Sequence, residues 1–249
     1  MSSLSWVAYQ ERLRDDNLVV FIPCGALEQH GPHLPLGTDA MLSTAIAQTV
    51  AQKVNGIVAP TLSYGYKSQP KSGGGQHFPG TTSLDGHSLS QIARDVVREF
   101  ARQGVKNIVV VDGHYENQWF LTEGIDLALR DIDKPSVRVM RMEYWDFCTE
   151  ETLKQVFPDG FPGFALEHAA VIETSLMLHY YPDMVRLDLI PHDKPASFPP
   201  YDMYPACRHW VPASGVLSSA KAASAEKGAL MAAQICESIA SAVNYEFGS

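Results

Sequence analysis

Alternation of short β-branched runs with longer segments of helical period constrains this chain more than any other feature of its sequence. Residues 18–23 (LVVFIP), 57–62 (IVAPTL), 107–112 (NIVVVD) and 136–142 (SVRVMRM) read as strands. Between them, residues 39–54, 88–103 and 116–130 carry apolar positions at helical spacing, and Gly104 marks the end of the second of these helices. Strands separated by helices of this length pair in parallel, because parallel neighbours need a crossover, and the crossovers then cover both sheet faces. The expected fold class is therefore α/β, a three-layer αβα arrangement around a mostly parallel central sheet. A length of 249 residues with 45% hydrophobic content suffices for one full core, so residues 1–249 are expected to form a single domain.

Beyond residue 143 the pattern loosens. Pro158, Gly160, Pro162 and Gly163 break 143–168 into loop, a helix resumes near 168–180, and an Ala-rich helix is expected over 220–246. Residues 182–219 hold seven of the sixteen prolines, which suits an ordered loop wrapping the sheet edge better than a strand or helix. The net charge of −9 and the absence of a Lys/Arg stripe argue against a nucleic-acid partner. No apolar run approaches the ~20 residues of a membrane span. The opening MSSLSWVAYQERLRDD lacks the unbroken apolar stretch of a secretory leader, so a cytoplasmic location is expected. Cys24, Cys148, Cys207 and Cys236 are scattered and read as reduced thiols.

In parallel α/β sheets, reactive groups gather in loops beyond the carboxyl ends of strands. After the 18–23 strand comes GALEQHGPHLPLGTD, with Glu28 and His30 two apart and Asp39 at the start of the next helix. After the 107–112 strand comes GHYEN, with His114 and Glu116 at the mirrored spacing. Either pair alone suits a solvated turn. Together they offer two imidazoles and three carboxylates to one crevice, a donor set suited to Zn²⁺ or Mn²⁺ and sufficient for two ions if one carboxylate bridges. Asp39 also suits the role of helix N-cap. His33, flanked by Pro32 and Pro35, reads equally as a further ligand, a supporting donor or an exposed turn; Glu173 as solvated or as support for the metal shell. His77, His87, His179, His192 and His209 have no carboxylate at ligand spacing and read as surface or core.

The strings GALEQHG (25–31), YGYKSQPKSGGGQHFPGTTSLDG (64–86), GHYEN (113–117), YWDF (144–147), FPPYD and LSSAK resemble the creatininase (creatinine amidohydrolase) family, and the resemblance spans nearly the whole chain. It implies a hydrolase holding two divalent ions per subunit, Zn²⁺ and/or Mn²⁺, that opens a small cyclic amide, creatinine, to creatine. It further implies that Glu28, Asp39 and His114 hold one ion and His30, Asp39 and Glu116 the other, with Asp39 as the bridge. Two cations sharing a water lower its pKa from 15.7 towards ~7, which makes hydroxide available at neutral pH. The resemblance gives His168, beside Glu167 in ALEHAA, the proton-shuttle role, and places Ser72, Tyr115, Trp145, Glu167 and Phe164 against the substrate. Read alone, His168 suits a solvated helix start and Trp145 a packed core aromatic. Phe164 and Ala165 stand where the family has a Trp-Asp pair, which removes an indole N–H and a carboxylate. The resemblance also implies assembly as a homohexamer.

Rival expectations are a family relative that deformylates a pyrimidine intermediate or trims a peptide, a binding protein of the same fold that has lost catalysis, and a nucleotide-binding Rossmann-like enzyme. The long 64–86 match disfavours the first, retention of all five ligand positions and His168 the second, and the lack of a glycine fingerprint after the first strand the third.

Overall fold

Every residue of the two central strands is buried, and their side chains alternate between two separate cores. The computed structural model describes residues 1–132 and 136–248. Strands β1 (Val19–Cys24), β2 (Gly56–Val58), β3 (Asn107–Asp112) and β4 (Arg138–Glu143) form one parallel sheet in the order β2-β1-β3-β4. Val19 and Phe21 of β1, with Val109 and Val111 of β3, pack against α2 (Thr38–Ala51), α6 (Val171–Tyr180) and α7 (Ala225–Phe247). Val20, Ile22, Ile108 and Val110 face the other way, onto α3 (Gly86–Gln103) and α4 (Gln118–Asp131). The period-2 geometry of a strand makes continuous apolar runs the signature of a sheet covered on both faces. Burying each such side chain stabilises the fold by about 1.5–3 kcal/mol. The expected three-layer α/β class is the one observed.

Several boundaries differ from the sequence expectation for local reasons. Strand β2 is only three residues long, although Ala59 and Leu62 still donate backbone N–H bonds to Phe21 and Pro23 of β1. Pro60 between them has no N–H and interrupts the ladder, which resumes as a single bridge at Leu62. Two short helices went unread: α1 (Trp6–Arg12), capped by Ser5, and α5 (Glu150–Val156), capped by Thr149. Each has only seven residues, too few for a period to stand out. Helix α3 ends at Gly104 in the left-handed region (φ 105°), as the sequence implies. Residues 182–219 form 3-10 turns at Pro182–Met184, Leu187–Leu189 and Arg208–Trp210 without longer elements. Instead of following a sheet edge, this segment bonds to loops at the carboxyl end of the sheet: Arg186 N–H to His33 O, Leu217 N–H to His168 O, and Lys71 to Asp202. Among the described residues no helix is long and apolar enough to cross a membrane.

The strand order sets where chemistry can collect. From β1 the chain crosses through α2 to β2 on one side; from β3 it crosses through α4 to β4 on the other. Reversal of direction puts α2 on the opposite face from α3 and α4, as right-handed crossovers require. Beyond the carboxyl ends of β1 and β3 the connections diverge and leave a crevice, the position where open α/β sheets bind ligands. The segments carrying Glu28, His30, His114 and Glu116 both start there.

Candidate metal centre

Asp39 occupies the floor of the crevice. Gly25 and Gly113 follow β1 and β3, and a Cβ on either would run into the backbone of Asp39 and Ala40, Gly25 meeting Ala40 N and Gly113 meeting Asp39 O. Two glycines thus let both strand ends close on the first turn of α2. The cap position of α2 is Gly37, and the Asp39 carboxylate does not cap the helix; the N-cap reading of Asp39 is corrected here. Its oxygens point in two directions instead. Oδ1 lies 2.9 Å from His30 Nε2 and Oδ2 lies 3.1 Å from His114 Nδ1.

Two groups of donors form around it. Glu28, Asp39 and His114 make the first, with Glu28 Oε1 3.2 Å from His114 Nδ1. His30, Asp39 and Glu173 make the second, with Glu173 Oε1 3.6 Å from His30 Nε2. This grouping differs from the second set that the resemblance implies. Glu116 does not join His30: its Oε1 accepts from Gln69 N (2.7 Å) and Ser72 Oγ (2.6 Å), and its Oε2 lies 3.3 Å from the Nε2 of His114, the nitrogen opposite the one facing Glu28 and Asp39. Glu173 takes that place from α6, and its other oxygen accepts from Ala169 N at 2.5 Å. Ala169 has φ 55°, the one non-glycine residue with positive φ among those described, and its turn lets His168 and Glu173 face the same crevice.

The donors fit divalent cations. Ligand atoms about 2.0–2.2 Å from a tetrahedral ion stand roughly 3.3 Å from one another, and the closest contacts here run from 2.9 to 3.6 Å. Glu28 Oε2, His30 Nε2 and Asp39 Oδ2 are buried without a hydrogen-bond partner, a costly arrangement for protein alone. Each imidazole has its other nitrogen fixed: His30 Nδ1 lies 3.2 Å from Glu28 O and His114 Nε2 lies 2.9 Å from Tyr66 O. Such carbonyl contacts take the ring proton and leave the opposite lone pair for a metal. Burial, offset in part by His114, pushes the Glu28 carboxyl up to about 7. Burial acts the same way on Asp39, but His30 and His114 outweigh it and hold that carboxyl low.

His168 stands beside this cluster, its ring 4.4 Å from that of His30 and its Nδ1 3.6 Å from Glu28 Oε1. The Gln29 amide donates to Gly73 O and Gly215 O, so His168 Nε2 is the donor to Gln29 O at 2.9 Å. Burial first, and the neighbouring His30 next, hold His168 well below its ordinary pKa, so the ring is neutral. Glu167 Oε2 accepts from Ile172 N at the start of α6 while Oε1 is buried without a partner. Burial pushes this carboxyl up to about 7.

Above the centre lies a cavity of about 920 Å³. Ser72, Tyr115, Trp145, Phe164, Glu167 and His168 all line it, as do Glu116 and Glu173. Tyr115 is half exposed and meets Trp119 edge-on at 5.7 Å; Trp145 packs edge-on against buried Tyr144 at 5.1 Å; Phe164 meets Phe161 edge-on at 4.8 Å. His33 is buried, not on an exposed turn, with Nε2 3.0 Å from Thr174 Oγ1. Sequence reasoning missed Gln29, whose side chain ties Gly73 to Gly215 beneath His168. Nothing in its sequence neighbourhood distinguishes it from a solvated glutamine.

A parallel α/β sheet with paired histidine-carboxylate groups at its switch point, sharing one carboxylate under an aromatic cavity, defines a two-metal hydrolase-type centre. The match narrows this further: residues 2–243 fit the Creatininase model, described as creatinine amidohydrolase, and the chain belongs to that family. It is 47% identical to creatinine amidohydrolase of Pseudomonas putida over 251 aligned residues, covering 99% of this chain and 96% of that one. A mycofactocin precursor peptide peptidase of Mycobacterium tuberculosis is 32% identical over 68% of this chain and 61% of its own. Among solved structures, a manganese form of creatininase superposes with a TM-score of 0.98 at 47% identity, covering 100% of this chain and 98% of that one. A creatininase variant complexed with creatine gives 0.97 at 46% identity with the same coverage. Another variant is a Zn–Zn form.

Proposed function

We propose that this chain hydrolyses the cyclic amide of creatinine to give creatine, with two divalent ions, zinc or manganese, held between His30, Asp39 and Glu173 on one side and Glu28, Asp39 and His114 on the other. The single observation that carries the reading is Asp39, with one oxygen directed at each histidine. Identity of 47% to a creatinine amidohydrolase against 32% to a peptide peptidase favours the cyclic amide over peptide trimming.

Hydrolysis breaks the ring C–N bond, adds hydroxyl to the carbonyl carbon and returns a proton to the departing nitrogen. Divalent ions, when bound, polarise a carbonyl oxygen and lower the pKa of water. The protein's own residues supply the rest. His168, neutral with its Nδ1 lone pair towards Glu28, is suited to take a proton at Nδ1 and hand it to the ring nitrogen. Glu167 presents its unpartnered Oε1 in the same wall. Tyr115, Trp145 and Phe164 offer faces and edges to a flat ring and exclude water around it. Ser72 lies within the same wall and supports Glu116.

The test pairs metal analysis with a creatinine-to-creatine assay. Chelated protein is expected to lose turnover and to regain it on addition of Mn²⁺ or Zn²⁺; full turnover in protein shown to be metal-free refutes the scheme. The same reading carries a single domain over residues 1–249, a homohexameric assembly and a cytoplasmic location. Light scattering of the purified protein at assay concentration checks the assembly, and a monomer there removes it.

A further inference from the structure

We propose that residues 197–211 form a strap across the mouth of the cavity, latched at its tip by Lys71, that admits a compact ring and shuts out an extended chain. The base of the strap is pinned beside His168. Ala196 N donates to Leu217 O at 2.8 Å, Leu217 N donates to His168 O at 3.3 Å, and the Gln29 amide donates to Gly215 O at 2.9 Å. The two ends of the segment therefore meet, as they do in compact surface loops. Between them none of residues 197–210 is buried, and they form no strand or α-helix. Among the described residues, every hydrogen bond and ion pair that joins 197–211 to the rest of the chain ends on Lys71. Its Nζ donates to Tyr201 O at 3.4 Å and pairs with Asp202 Oδ1 at 3.2 Å.

The two sides of this latch are unequally held. Lys71 belongs to a loop fixed on both flanks: Gln69 N and Ser72 Oγ donate to Glu116 Oε1, and Gly73 O accepts from the Gln29 amide. The tip of the strap has Lys71 alone, so the strap is the part free to swing. Its place in the fold gives that motion a consequence. Asp202 and Tyr204 line the same cavity as Glu116 and His168, yet Tyr204 is 77% exposed, which sets it on the rim with half-exposed Tyr115 and Trp119. A cavity of about 920 Å³ has room for far more than a creatinine-sized ring, so larger substrates are selected against at the rim and not by the volume inside. An extended chain has to run out through that rim, whereas a compact ring does not. A partly exposed ion pair holds weakly in water, and a latch of this kind yields to let a ring in and product out.

The inference rests on the reading of this cavity as the site of cyclic-amide hydrolysis, and the test separates the two. Wild type, Asp202→Asn, Lys71→Met and the charge exchange Lys71→Asp with Asp202→Lys are compared as the purified, assembled protein. One readout is chymotrypsin cleavage at Tyr201 and Tyr204, located by mass spectrometry. The other is kcat/KM on creatinine and on the same ring carrying a hexyl chain on nitrogen. Each single variant is expected to be cut at these tyrosines about two- to fivefold faster, the scale of a partly exposed ion pair. The ratio of kcat/KM for the chain-bearing ring to that for creatinine should rise by a similar factor. The charge exchange restores an opposite pair and should return both readouts to their wild-type values. Unchanged cleavage in the single variants, the result if a neighbouring subunit holds the strap, overturns the latch. Faster cleavage with an unchanged substrate ratio overturns its part in selection. A rise shared equally by sites outside 197–211 reports a loosened fold and overturns the proposal as well. If creatinine is not turned over at all, the reading of the cavity fails, while cleavage and its rescue by the exchange still decide the latch.

Discussion

The loop after β1 and the loop after β3 reach the centre in different ways. Leu27 bridges Thr82, and Glu28 and His30 follow outside any helical turn, both delivering side chains to the cluster. After β3, His114 is extended (φ −136°, ψ 114°) but Tyr115–Asn117 closes at once into a 3-10 turn. Residues two apart share a face in extended backbone, whereas in a three-residue turn they point about 120° apart. Equal spacing therefore has unequal consequences. The first loop contributes two groups to the donor cluster; the second contributes His114 there, while Glu116 turns to the glycine-rich loop and accepts from Gln69 N and Ser72 Oγ. An acidic group from a third element, Glu173 on α6, completes the second donor set.

The substitution with the largest expected effect removes the group on which the two loops converge. Asp39→Ala should abolish binding of both ions and bring turnover to background, measured by elemental analysis and product formation. Retention of one ion at full occupancy would mean that Asp39 belongs to only one donor set. Next comes His168→Ala, expected to keep both ions and to lose turnover by about 100-fold or more, the scale of a lost proton-transfer group. Unchanged turnover would remove the histidine from the proton path.

A paired comparison then bears directly on the asymmetry between the loops. Glu173→Gln should lose one of the two ions at concentrations that saturate the wild type. Glu116→Gln should keep both, with one weakened by about tenfold as His114 loses a supporting carboxylate. Loss of an ion in Glu116→Gln, with both retained in Glu173→Gln, would reverse the assignment drawn from the geometry.

The reach of the sequence follows the same physical line. Strands β1 and β3 and helices α2, α3 and α4 were legible because burial on both sheet faces writes unbroken β-branched runs and helical periods into the chain. The positions of Glu28, His30, Asp39 and His114 were legible because a strand's carboxyl end leads into them. The direction in which Glu116 points was not legible because spacing carries no backbone dihedrals, and the turn at Tyr115–Asn117 is set by tertiary bonds such as Asn117 to Gly25 O. Glu173 was open between two readings because its orientation depends on the left-handed turn at Ala169, where the residue type gives no warning. Gln29 owes its role to carbonyls from distant loops, which no local pattern encodes.

The smallest effect expected belongs to Ser72→Ala, and it discriminates between two roles for that hydroxyl. Ser72 lines the cavity, yet its Oγ is spent on Glu116 Oε1 at 2.6 Å, which Gln69 N also bonds at 2.7 Å. If the hydroxyl acts through Glu116, its loss leaves that oxygen with one donor. Hydrogen bonds to charged groups are worth about 1.5–3 kcal/mol when buried, and the remaining donor and cavity water offset part of this. Turnover should then fall several-fold with KM nearly unchanged. A hydroxyl that contacts substrate in ground state and transition state alike shows the opposite split, KM rising while turnover holds. Steady-state kinetics on the one variant separates these outcomes, and a pure KM effect would move Ser72 from support of the second loop to the substrate.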